Sequence, residues 1–290
     1  MVSFLLTSPA SKSTLLFNKR LEERDMLAQS SNKAKIARRV VEVLQFFDEA
    51  HPHATVMDIV RRYDRPQSST SELLSSLVEL GILYKDGQNR SYRPTPRAAM
   101  LGGSTQAPII RDGRLTLLLD RLQAQSGLTV ALFGLVGVEA QVFNCRSAGN
   151  RRVGMFCESF NGGQTERLTD SAVGRLLLST LSRPRREGIV RRLNAEAQGQ
   201  HIPYAEMLTL LDQYERKGMV VGEAGFGIEA EICAALLPAY AVDQPMAIGF
   251  VYRPSANIDV DALGGMLKDA INQAVEREDN HSVTPLVAAA

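Results

Sequence analysis

At 290 residues the chain is about twice the usual length of one domain, and 44% hydrophobic with 22% charged residues excludes a wholly disordered or fibrous polymer. Lys+Arg 33 against Asp+Glu 32 leave a formal net charge of +1, which excludes a general attraction to nucleic acid or acidic lipid, so any basic surface must be local. Cys145, Cys157 and Cys233 are odd in number and widely spaced, a poor disulfide framework and no zinc signature; they read as small buried apolar residues in a reducing cytoplasm. No stretch approaches the roughly 18 consecutive apolar residues of a membrane helix.

Residues 1–30 mix Ser, Thr and short apolar clusters without periodicity and read as a mobile leader. Lys12, Lys19 and Arg20 follow the apolar run, where a secretory signal would carry its charge ahead of it. Ile36, Val40, Val43, Leu44 and Phe47 then recur at three and four residues, one face of a helix that His51, Pro52 and His53 break. Thr55 offers a hydroxyl cap to a short helix from Val56 to about Tyr63, with Met57, Ile59 and Val60 turned inward. A third helix begins within 64–69, where Pro66 suits a turn or first-turn position and the serines can cap. Leu73, Leu74, Leu77, Val78 and Leu80 form its buried stripe, and Gly81 supplies its left-handed stop. Residues 82–95 read as a strand, a turn at Asp86 and Gly87, and a returning strand. Three short helices and a hairpin predict a winged helix-turn-helix over 31–102.

Gly102, Gly103, Ser104, Thr105 and Pro108 mark a boundary, followed by a linker and linker helix within 103–127. Leucines at 115, 117, 118, 119 and 122 make that helix too apolar for a free surface. Residues 129–137 and 140–145 read as paired strands, and 155–167 as loop. Thr169 or Asp170 can cap a helix running to Leu181. Pro184 can open another to about Ala197, and Tyr204 to Lys217 forms a third that ends at Gly218. Strands return at 228–237 and 246–252, and an amphipathic helix over 259–277 closes the domain. This segregation predicts an α+β domain on an antiparallel sheet over 128–278, with a frayed tail at 279–290.

Gln67, Ser68, Ser69, Thr70, Ser71 and Ser75 lie on the third helix, where amides and hydroxyls can reach base edges or phosphates. Lys85, Arg90 and Arg93 flank the hairpin, where cations meet the sugar–phosphate backbone or enter the minor groove. On this reading Thr70→Ala relaxes sequence preference, while Arg90→Ala weakens specific and random binding together. From Ser31 to Leu101 eleven basic residues stand against eight acidic ones, a small excess. One such module buries only roughly 600–1,000 Å² on DNA, so useful affinity calls for two copies making roughly 6–10 phosphate contacts together. The sequence therefore predicts a dimer on double-stranded DNA. A winged helix used only for protein interaction is the alternative, and Glu72, inside the recognition helix, favours it.

Segment 33–102, including the run from Arg65 through Pro66, Gln67 and Ser68 to Gly81, resembles the DNA-binding domain of the IclR family of bacterial transcription regulators. Positions 110–277 resemble that family's effector-binding domain in order and spacing. The resemblance implies an N-terminal winged helix-turn-helix, a linker helix, a GAF-like domain that binds a small-molecule effector, and homodimers that often pair into tetramers. It places an effector site among Met155, Phe156 and Ser159 in a loop, Ser171, Ala172 and Gly174 at a helix start, and Ile232, Cys233 and Ala234 on a strand. Each has an ordinary structural alternative, Gly174 as a close-packing glycine among them. Members of the family that bind small oxoacids tend to carry an acid where Gly222 stands here and hydroxyls where Gly249 and Val251 stand. That departure implies a less polar effector, an altered site, or none.

Enzymatic signatures are thin. His51, His53, His201 and His281 show no metal-ligand spacing, and neither a nucleophile elbow nor a phosphate-cradling GxxxxGK occurs. Glycines 222, 225 and 227 are explained by loop flexibility. Arg183, Arg185, Arg186, Arg191 and Arg192 read as a solvated helix face, with an anion or DNA contact as the alternative. The sequence as a whole predicts a cytoplasmic, non-enzymatic regulator without cofactor or metal. A GAF-like ligand-binding or catalytic protein whose winged helix only assembles subunits is the competing reading.

Overall fold

The computed structural model describes residues 35–48, 51–147, 162–197, 202–254 and 258–276. The expected leader, 1–30, and tail, 279–290, lie outside the described residues. The chain divides into two units between Leu101 and Gly102.

The first unit holds helix α1 over 35–46, α2 (Val56–Tyr63), α3 (Gln67–Glu79), strands β1 (Leu83–Asp86) and β2 (Ser91–Pro94), and a short α4 (Pro96–Met100). Val43, Ile59, Leu74, Leu77, Leu83 and Tyr92 make its core. A capping box starts α2: the Asp58 amide donates to Thr55 Oγ1 at 3.3 Å, and the Thr55 amide donates to the Asp58 carboxylate at 2.8 Å. Those bonds hold the Asp58 carboxyl below its ordinary value, first through the Thr55 amide and then through its hydroxyl. A carboxyl depressed in the folded state adds stability above the unfolded pKa and loses it as pH falls through the folded one. Thr55→Ala should therefore cost about 1 kcal/mol at neutral pH, read as a lowered denaturation midpoint.

The inward stripe of α2 runs through Val56, Ile59 and Tyr63. Met57 lies about 100° round the helix from Val56 and is 39% exposed, contrary to its expected inward position. Leu80 likewise falls outside the α3 stripe, 62% exposed, because it sits past the last helical turn. Gly81 there adopts φ 71°, its amide reaching Val78 O at 2.9 Å while the Ile82 amide reaches Leu77 O at 2.9 Å. This paired stop turns the chain directly into the hairpin. The hairpin closes on Asp86, not on a two-residue Asp-Gly turn. Its carboxylate accepts the Gln88 amide at 2.9 Å and the Asn89 side-chain amide at 2.8 Å, and four residues separate the paired Asp86 and Ser91. A bridge from Ala54 to Tyr92 fastens the approach to α2 onto β2.

In the second unit α5 (Pro108–Arg111) and α6 (Arg114–Ser126) precede β3 (Thr129–Val136), β4 (Glu139–Arg146) and β5 (Thr165–Arg167). Helices α7 (Ala172–Ser179), α8 (Arg183–Glu196) and α9 (Tyr204–Lys217) follow, then β6 (Met219–Glu223), β7 (Glu231–Leu236), β8 (Met246–Tyr252) and α10 (Val260–Glu276). All six strands pair antiparallel in the order β5-β4-β3-β8-β7-β6. Strand alternation sends Ala131 and Phe133 to one face, packed with α7–α9, and Val130 and Leu132 to the other, packed with α6 and α10. Two covered faces explain why β3, β7 and β8 read as continuous apolar runs.

Two strands lie where the sequence suggested none. The short, polar β5 interrupts the expected loop because its backbone pairs with Glu139–Gln141, and β6 precedes the glycine loop as an edge strand on β7. The cap of α7 is Ser171, not Thr169 or Asp170: its Oγ accepts the Gly174 amide at 3.0 Å. Arg186 departs from the solvated arginine face. It is 5% exposed and donates to Asp212 at 2.5 Å, Glu215 at 2.7 Å and Ser179 O, tying α8 to α9.

Candidate nucleic-acid and effector sites

The face of α3 is set by helical period. Ser68, Glu72 and Ser75 stand at i, i+4 and i+7, all exposed, with Gln67 beside them and Ser71 half-buried at the edge. Ser69 is half-buried and engaged, accepting from Arg39 at 3.2 Å and donating to Pro66 O at 3.3 Å. Thr70 must be removed from the interface. It is 1% exposed on the core side, its hydroxyl donating to Pro66 O at 2.9 Å, so it cannot touch a base and Thr70→Ala would act on stability. The serines do not cap α3 either. Pro66 occupies the cap position and makes no side-chain bond to the first turn, leaving those amides suited to phosphate oxygens. Glu72 shares the exposed face of Ser68 and Ser75, as its spacing from them requires.

On the hairpin, Tyr84 pairs with Arg93 and Lys85 with Tyr92. Adjacent pairs project to opposite sides of a ribbon. Arg93 stacks over Tyr84, 4.9 Å from the ring centroid, on the outer side, and Lys85 lies 5.6 Å from the Tyr92 centroid on the core side. Each ring limits the freedom of its cation. Arg90, exposed, sits in the turn between them with φ 51°. The ribbon thus carries one cation on each face and one at its tip.

Of the effector candidates, Met155, Phe156 and Ser159 lie outside the described residues. Ala172, Ile232 and Ala234 share the cluster between the sheet and α7, where Ser171 and Gly174 start the helix. Cys233 does not join them. Its position between Ile232 and Ala234 turns it to the opposite face, among α6 and α10 residues, where burial raises its thiol pKa to about 11. Gly174 is a packing glycine, since a Cβ there would lie 2.7 Å from Leu168 O. A Cβ on Gly222 would lie 3.3 Å from that of Ala172, and one on Gly249 2.9 Å from Ile232 Cδ1, so neighbouring side chains occupy the space that larger residues would need.

The glycines at 225 and 227 serve a held conformation, not flexibility. Gly225, Phe226 and Gly227 have φ of 77°, 57° and 69°, the Phe226 amide donates to Glu166 at 2.8 Å, and its ring lies 5.8 Å from that of Phe133. Among the described residues no three His, Cys, Asp or Glu side chains form a metal cluster, and no helix is long and apolar enough to cross a membrane.

A helix-turn-helix with a basic hairpin is thus joined in sequence to an α/β unit built on an antiparallel sheet. Residues 37–87 match the IclR helix-turn-helix domain. An IclR transcriptional regulator from Alicyclobacillus acidocaldarius is 17% identical with a TM-score of 0.53, over 84% of this chain and 97% of that one. An IclR homologue from Microbacterium hydrocarbonoxydans, complexed with 4-hydroxybenzoate, is 20% identical with a TM-score of 0.52, over 83% and 99%. The IclR of Thermotoga maritima is 12% identical with a TM-score of 0.53, over 86% and 98%. No curated protein matches the sequence. Residues 37–87 thus form an IclR-type helix-turn-helix domain, and the chain as a whole shares the fold of these solved IclR regulators.

Proposed function

We propose that the chain binds a specific operator as a dimer or higher oligomer and that a small effector, bound in its second unit, shifts operator affinity. The observation that carries the reading is the exposed face of Ser68, Glu72 and Ser75 on α3 beside a hairpin bearing Lys85, Arg90 and Arg93. Serine hydroxyls and the Gln67 amide read base edges or phosphates, and the cations position the duplex. Glu72 adds an acceptor for the cytosine amino group. The effector supplies regulation only through a difference in its affinity for two conformations. The ligand of the Microbacterium hydrocarbonoxydans homologue, an aromatic acid, supports a small aromatic effector class.

The test is titration of the full chain against promoter fragments and random duplex across a salt series. Affinity for one fragment well above random sequence, with a steep salt slope, supports the reading; equal weak affinity at low salt refutes it. Arg90→Ala should weaken specific and random binding alike and reduce the salt slope by about 1.

A further inference from the structure

We propose that Thr129 is the polar anchor of a binding site for a small uncharged molecule on the α7 face of the sheet. The proposal rests on reading the second unit as an effector domain and assigns the site its hydrogen-bonding group. Thr129 opens β3 and alternates with Val130, so it projects to the same face as Ala131 and Phe133. It is 0% exposed, and its Oγ1 has no hydrogen-bond partner. Ser171 bonds the Gly174 amide, Ser179 bonds Leu176 O, and Arg186 engages Asp212 and Glu215 through its terminal nitrogens; the Tyr252 hydroxyl also lacks a partner but lies on the opposite face of the sheet, among α6 and α10 residues.

A hydroxyl buried without a partner is costly, and valine would fill the same strand position without that cost. Retaining a hydroxyl there makes physical sense if something brought into the site satisfies it. Register shows what lies beside it. Thr129 pairs with Val251, Val251 with Ile232, and Ile232 with Gly222, over which Ala172 of α7 closes to within 3.3 Å of a built Cβ. The row from Thr129 to the start of α7 thus holds one hydroxyl and otherwise apolar or absent side chains. Such a row, buried between the sheet and α7, suits a compact, largely apolar ligand with one hydroxyl or carbonyl, and the row itself offers no cation to a carboxylate.

The experiment compares the full-length protein with Thr129→Val, using phenol, toluene and benzoate as probes in thermal shift and direct titration. Phenol and toluene match in size and differ in the polar atom. Without any probe, T129V should melt about 2–4 °C higher, because a hydroxyl without a partner has been removed. Phenol should bind wild type and lose about tenfold affinity in T129V, while toluene binds both equally. A lower melting temperature for T129V, equal phenol binding by the two proteins, preference for benzoate, or no binding of phenol and toluene each overturns the proposal. Operator binding by the wild-type chain without any probe tests the regulator reading by itself, so failure of this site and failure of that reading appear in different assays.

Discussion

Glu72→Gln is expected to change the base selected at one position of each half-site from cytosine to adenine. Glu72 occupies the middle of the exposed α3 face, one turn from Ser68 and nearly one turn from Ser75, so a helix laid in a major groove points its carboxylate at base edges. A carboxylate can only accept, and in the major groove the cytosine amino group is the donor that suits it; glutamine pairs through both atoms with adenine. A well-placed contact of this kind discriminates by about 1–3 kcal/mol, a factor of roughly ten to a hundred. The same carboxylate repels phosphate, so Glu72→Ala should raise affinity for random duplex while flattening discrimination. Binding-site selection from a randomised pool, run with wild type and both variants, reads all three effects. If the selected sequence is unchanged in both variants, Glu72 does not face bases, and the surface it occupies belongs to a protein partner.

The first unit was legible in sequence because its signals are local. A threonine cap followed by an acid three residues on, a proline before α3 and a glycine after it each act within one turn, and all three boundaries lie there. What periodicity could not settle was the outcome of packing. Thr70 has the chemistry of a DNA contact, yet the turn that places Ser68 and Glu72 outward places Thr70 inward; Met57 misses the α2 stripe for the same angular reason, and Leu80 misses that of α3 because it lies past the last turn. In the second unit, strands covered on both faces carry no alternation, so nothing local distinguishes Cys233 from its neighbours Ile232 and Ala234. Only the sheet register separates them. β5 and β6 were invisible because a short or edge strand is recruited by its partner's backbone. Arg186 was hidden among exposed arginines, since its two acids come from a helix 26 and 29 residues away.

Gly174→Ala should be among the most damaging single-methyl changes available to this chain, costing about 3 kcal/mol and lowering the melting temperature of the second unit. The added Cβ would lie 2.7 Å from Leu168 O and 2.8 Å from Ser171 Oγ, and neither atom is the loose end of a flexible side chain. Leu168 is buried, with its own amide bonded to Val138 O at 3.2 Å, and Ser171 Oγ is occupied as the acceptor that caps α7. Relief therefore requires moving the helix start or breaking the cap, and overpacking of about 1–3 kcal/mol adds to a cap worth about 1. Gly188→Ala supplies the control: this glycine lies exposed in α8, and a Cβ there meets nothing within 4 Å. Removing glycine from an exposed helix interior should stabilise the protein by roughly 0.5–1 kcal/mol. Parallel denaturation of the two variants separates packing from ligand contact. Should Gly174→Ala unfold as wild type does while altering only the response to an effector, the close approach of α7 to Leu168 would not be the reason a glycine stands there.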